Sequence, residues 1–269
     1  MGTSLTRRSF FAACSLAAVP SIAKASAPPD VPSSFPTQNP DLVREMVGVA
    51  HGNIARVKEL VGRQPTLAKA SWDWAFGDWE SALGAASHVG NREIAEFLIA
   101  NGARPSIFSA AMLGQLDVVK AFVAASPGIQ RTKGPHSITL LSHAKAGGPR
   151  AQAVADYLAT IEGADERPTE QPLSPQDVGA LAGAYGYGDA ADERIDITAA
   201  KDRVPTAPGM GGVMSFQRPG RVARGLVHLG RFEFVPVGAE RVRIRFATTA
   251  GVMTMTVHDP DVVLTARKL

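Results

Sequence analysis

The chain has 269 residues, of which 45% are hydrophobic and 20% charged, with 28 Lys and Arg against 25 Asp and Glu, six His and one Cys. A single Cys excludes a disulfide framework and any cysteine-built metal finger. Residues 1–25 contain Arg7, Arg8 and Lys24 and no acid, so the remainder balances 25 basic against 25 acidic groups, and such neutrality lends no support to nucleic-acid binding.

The chain opens on Thr6-Arg7-Arg8-Ser9-Phe10-Phe11, continues through an apolar run too short to span a bilayer, and reaches Ala23-Lys24-Ala25, an A-x-A cleavage pattern. Residues 1–25 thus resemble a twin-arginine export signal, which implies a folded protein delivered to the periplasm with the signal removed and no integral membrane segment in the mature chain. Cys14 leaves with that signal, unless it serves as a lipid-attachment site. Pro and small polar residues mark residues 26–40 as a linker, and a second break of the same kind covers 164–174. The pattern between the breaks, over 41–163, is helical, whereas that of 175–269 is strand-like.

Three segments in the helical region align on a glycine: Val49–Val61 on Gly52, Ala86–Ile99 on Gly90 and Ala110–Val123 on Gly114. In each, one helix is expected to end near the glycine, and a second follows with apolar residues at helical spacing. With Ser81-Ala82-Leu83-Gly84 in the place of a Thr-Pro-Leu-His signature, Asn101-Gly102-Ala103 as a closing turn and a degenerate fourth unit from Thr139, the region resembles the ankyrin repeat. The resemblance implies an α-solenoid whose first helices and fingers form a concave protein-binding surface.

All three tryptophans lie in Ser71–Glu80, SWDWAFGDWE, which falls on the long finger between the first two units. Trp72, Trp74 and Phe76 alternate with polar or small residues, as an extended segment with one aromatic face would. Trp72, Trp74, Phe76, Asp78 and Trp79 are the candidate partner-binding residues, because Trp is enriched among the few residues that dominate binding energy. The competing expectation is that these aromatics cap the first unit, with Ser81 capping the helix that follows.

Beyond residue 175, alternation of polar and apolar residues predicts strands at 194–198, 227–235, 241–246 and 252–257, flanked by 181–186 and 262–266. A small antiparallel sheet or barrel is expected. Through Leu181-x-Gly183-x-Tyr185 and a late Gly-Val pattern it resembles the β-domain appended to some serine β-lactamase-like hydrolases, although the catalytic domain of that group has no counterpart here. The expected fold class is therefore α+β multidomain, an ankyrin-repeat α-solenoid followed by a small antiparallel β-sheet or barrel.

Chemistry-bearing motifs are few. Ser142-His143-Ala144-Lys145 has S-x-x-K spacing inside a predicted helix, and Ser21–Lys24 repeats that spacing. His258, Asp259 and Asp261 are placed in a solvated turn, His51 and His88 at corresponding helix ends, where imidazole donates to terminal carbonyls, and Arg218, Arg221, Arg224 and Arg231 on a wet hairpin face. The functional expectation is an exported, non-enzymatic protein-binding module that uses no cofactor and no metal. The alternative is an envelope hydrolase or hydrolase accessory factor acting at the groove between the two domains.

Overall fold

A computed structural model describes residues 33–199, 212–260 and 262–269; the segment expected to be an export signal, with Cys14, residues 26–32 of the expected linker, and Asp261 lie outside the described residues. The described chain divides into a unit ending at Thr37 and a compact unit spanning Gln38–Leu269, to which every element below belongs. No helix among the described residues is long and apolar enough to cross a membrane.

Local sequence accounts for where the helices start. Asn39 caps α1 (Pro40–Val49), Asn53 caps α2 (Ile54–Arg63), Ser81 caps α3 (Ala82–His88) and Asn91 caps α4 (Arg92–Ala100), each by accepting a hydrogen bond from a backbone N–H of the first turn. Ser106 and Ser109 form a reciprocal capping box for α5 (Ile107–Met112), which is followed by α6 (Leu116–Ala125). Thr139 caps α7 (Leu140–Ala146), next comes α8 (Gln152–Ala159), and Ser174 caps α9 (Pro175–Leu181). Gly90 and Gly114 turn the chain at φ +76° and +75°, and a Cβ at either would lie 2.1–2.2 Å from a carbonyl oxygen, of Ala146 and Arg150 respectively. Between α2 and α3 the chain makes a two-stranded finger, β1 (Ser71–Asp73) paired with β2 (Trp79–Ser81).

Eight further strands close into a barrel: β3 (Gly183–Gly186), β4 (Arg194–Ala199), β5 (Met214–Gln217), β6 (Arg224–Gly230), β7 (Glu233–Pro236), β8 (Arg243–Thr249), β9 (Val252–Asp259) and β10 (Val262–Lys268). Each pairs antiparallel with its sequence neighbour, and β10 returns to pair with β3. The interior is filled by Tyr185, Ile195, Met214, Phe234, Ile244 and Met255, and Leu181 of α9 joins them. The expected single strand over 227–235 is instead a hairpin. Arg231 and Phe232 both take positive φ (51° and 57°), the two-residue loop whose twist suits adjacent antiparallel strands.

The expected ankyrin-repeat α-solenoid does not stand, whereas the antiparallel barrel expected after it is present. Among the described residues the fold is nine α-helices with an eight-stranded closed antiparallel barrel. The helix pairs are joined by unlike connections and bury two separate cores, one around Met46, Leu60, Leu83, Ile94 and Leu98, the other around Ile107, Val119, Leu140, Val154 and Leu158. An open solenoid would leave its fingers along a free edge, whereas here the β1–β2 finger and the Pro135–Ser137 turn are held against the barrel by buried charge. Periodicity identifies the buried face of a helix but not the element that buries it.

Candidate metal centre

The finger carries the central residue. Pairing of Trp72 with Glu80 across β1–β2 places Glu80 at the root of the hairpin, fully buried. A buried carboxylate is tolerated only where donors or cations surround it. One oxygen, Oε2, accepts a hydrogen bond from the Trp74 indole Nε1–H at 2.7 Å. The other, Oε1, faces three imidazoles: His88 Nδ1 at 3.1 Å, His136 Nε2 at 3.4 Å and His51 Nε2 at 3.7 Å. These come from three places, the end of α3, the Pro135–Ser137 turn and the loop just past α1.

One donor atom from each of His51, Glu80, His88 and His136 lies within 4.8 Å of the other three. A tetrahedral ion with bonds of about 2.0–2.1 Å holds its donors roughly 3.3–3.4 Å apart, so the separations around Glu80 Oε1 bracket that value. The residues fit such an ion chemically as well. Glu80 Oε1 and His88 Nδ1 are buried 3.1 Å apart, within ion-pair distance, yet neither makes a well-aligned hydrogen bond among the described residues, so both keep bonding capacity that an ion would use.

An outer ring of contacts orients the donors. His51 Nδ1–H donates to the Gly48 carbonyl at 2.9 Å, which leaves Nε2 as its free lone pair. His136 Nδ1–H donates to Asp78 Oδ2 at 2.7 Å, and Asp78 Oδ1 accepts from the His136 backbone N–H at 2.9 Å. Asp78 in turn takes a short ion pair from Arg224 of the barrel, whose Nη1 also donates to the Val237 carbonyl. This carboxylate–imidazole–donor order is the arrangement that fixes ring orientation around protein-bound zinc. His136 and Ser137 both sit in left-handed backbone (φ 59° and 58°), a conformation that costs on the order of 1–3 kcal/mol per non-glycine residue and persists where surrounding bonds over-determine it. Asp78 supplies those bonds at His136, and Ser137 Oγ accepts from the Gly238 N–H.

The charges sort themselves accordingly. Burial pushes the Glu80 and Asp78 carboxyls up, but facing imidazoles, and Arg224 at Asp78, reverse this and hold both below the usual carboxylate range. Burial also works against the His136 imidazolium, yet Asp78 and Glu80 raise it to about 9. Burial keeps His88 below its ordinary value despite Glu80, and pushes His143, which packs on Phe108 at 4.8 Å, down to about 4. Without an ion, two carboxylates are thus balanced by His136 and Arg224.

Compared with known proteins, the chain matches no family model, no curated protein and no solved structure.

The finger residues expected to bind a partner are dispersed by the fold. Trp72 and Trp74 pack on the core under α1–α4, while Phe76 joins the barrel core with its ring 5.7 Å from that of Phe216. Asp78 is buried in the ion pair just described, and Trp79 is exposed at 65%. His51 and His88, expected as helix-end donors, converge with Glu80 and His136, and their side chains lie on two of the walls around one carboxylate oxygen. Ser142 is buried, bonded to Thr139 and to Arg167 at 2.6 Å, in a cap rather than beside a base. Arg224, expected on a wet face, is buried because it answers Asp78. Glu80 and His136 carry no spacing motif. The one sequence signal for them is an acid at the end of a tryptophan-rich finger, a costly residue to bury without a purpose.

Proposed function

We propose that this protein is a metal-binding protein whose His51, Glu80, His88 and His136 hold one divalent transition-metal ion of the zinc class. The observation that carries this reading is the convergence of three imidazole nitrogens on a single buried carboxylate oxygen that accepts no well-aligned hydrogen bond among the described residues. Imidazole and carboxylate together suit zinc and its neighbours rather than calcium or magnesium, which prefer all-oxygen shells. Four protein donors complete a tetrahedral shell, the pattern of a structural site rather than of a catalytic one with an open position. The ion would tie α1, α3, the finger and the Pro135–Ser137 turn together, and through Asp78 and Arg224 it would brace the barrel.

Binding would also displace the proton that His136 carries toward Glu80, so affinity would rise with pH. The test is the metal content of the untagged full chain, followed by zinc titration against a chromogenic chelator. One ion per chain is expected, with affinity reduced more than tenfold in His51→Ala, whose partly exposed side chain can be removed at little cost to packing. Absence of stoichiometric zinc binding, or an affinity unchanged by that substitution, would overturn the proposal.

A further inference from the structure

A second site stands apart from the metal donors, at one end of the barrel. The β9–β10 hairpin, the β5–β6 hairpin and the start of β4 share that end, as the register places Asp259 beside Val262 and Arg224 beside Phe216. Inward-facing Ile195, Phe216, Val257 and Leu264 do not fill the mouth there. They floor a cavity of ≈ 450 Å³ that Trp72, Trp74 and Phe76 of the finger roof over. Eight-stranded barrels are just wide enough to take one small ligand, and their mouths are recurrent ligand sites.

The polar groups on this apolar chamber are mostly cationic. Arg44, Arg218, Arg221 and Arg224 line it, against Asp73 and Asp259. Asp73 is engaged by the Ala75 N–H at 2.9 Å. Arg44 lies 3.7 Å from Asp41 at the surface, and Arg218 stacks over the Tyr187 ring. Arg224 belongs to the wall. Its side chain is 7% exposed, its Nη1 is taken by Asp78 and Val237, and its Nη2 is closed to solvent. The exposed guanidinium groups of Arg218 and Arg221, on the β5–β6 hairpin, are the donors open to a ligand at the mouth.

We propose that the barrel mouth binds an amphipathic organic carboxylate, its apolar body held between Phe216 and the finger aromatics and its carboxylate taken by Arg221 and Arg218 at the rim. Guanidinium is the side chain best suited to a carboxylate, and the apolar floor rejects small hydrophilic anions.

Dodecanoate is the probe, titrated into the full chain in the presence of chelator so that the outcome is independent of the metal reading. Trp72 and Trp74 line the cavity, so intrinsic fluorescence reports occupancy, and calorimetry gives the stoichiometry. Saturable binding of one dodecanoate is expected, with no binding of dodecyltrimethylammonium, which has the same tail and the opposite charge. Arg221→Glu, on an exposed hairpin, should weaken dodecanoate at least tenfold, and Arg218→Glu, on the same hairpin, should weaken it as well and carries the test should Arg221→Glu not fold. Equal binding of anion and cation, no dodecanoate binding up to about 1 mM, or wild-type affinity in the folded variants would overturn the proposal.

Discussion

Replacing Glu80 by Gln isolates what its charge contributes. Gln has the same shape and keeps an acceptor for the Trp74 indole, so packing and that 2.7 Å hydrogen bond survive. What is lost is the negative charge facing His136 and His88 and the anionic metal donor. Glu80 has no solvent exposure, and removing one member of a buried charge group costs about 3–5 kcal/mol. For a cooperative unit of this size each kcal/mol moves the thermal midpoint by roughly 2–4 °C, so the metal-free variant should melt about 6–12 °C below the metal-free wild type at the lower cost. Zinc at a hundredfold excess over its dissociation constant should add about 2.7 kcal/mol to the wild type, a further rise of roughly 5–11 °C. The variant should show almost none of that second rise. Thermal melts of both proteins, each with chelator and with zinc, measure all four midpoints. Equal metal-free midpoints would refute the buried-charge argument, and an undiminished zinc-dependent rise in Glu80→Gln would refute the donor assignment.

Asp78→Asn removes the carboxylate that orients His136 without touching a donor atom, so zinc affinity should fall by about 10–100-fold while one ion per chain is still bound, as read by competition with a chelator. The metal-free protein should be most stable near pH 6.5. His143, held down to about 4, costs stability as pH falls from 6.5 toward 4, because the unfolded chain takes up a proton there that the native state refuses. His136, raised to about 9, contributes stability fully present below about 6.5 and lost as pH rises through 9, because there the native state holds the extra proton. Denaturant midpoints across that range give the profile, and a flat alkaline limb would show that His136 is not charged in the fold.

Local sequence set the helices and strands of this protein because their determinants are local. Asn39, Asn53, Ser81, Asn91 and Thr139 are recognisable caps, Gly90 and Gly114 are recognisable turns, and alternation along 194–198 and 252–257 marks strands with one buried face. The same locality explains the misreading of the finger. Alternating Trp72, Trp74 and Phe76 look like one aromatic face, yet a positive φ at Ala75 and Phe76 turns the chain and sends Phe76 to the barrel while the tryptophans pack on the helices. It also explains the incorrect solenoid, since helix pairs with apolar stripes are compatible with several ways of stacking and only the barrel's docking chooses one. The candidate centre is the extreme case. His51, Glu80, His88 and His136 are spread over 86 positions of the chain on a loop, a strand, a helix end and a turn, and no spacing rule joins them. Tertiary structure alone decided that their donor atoms meet, because the price of burying Glu80 and Asp78 could be met only by cations and donors arriving from elements remote in sequence, including Arg224 from the barrel.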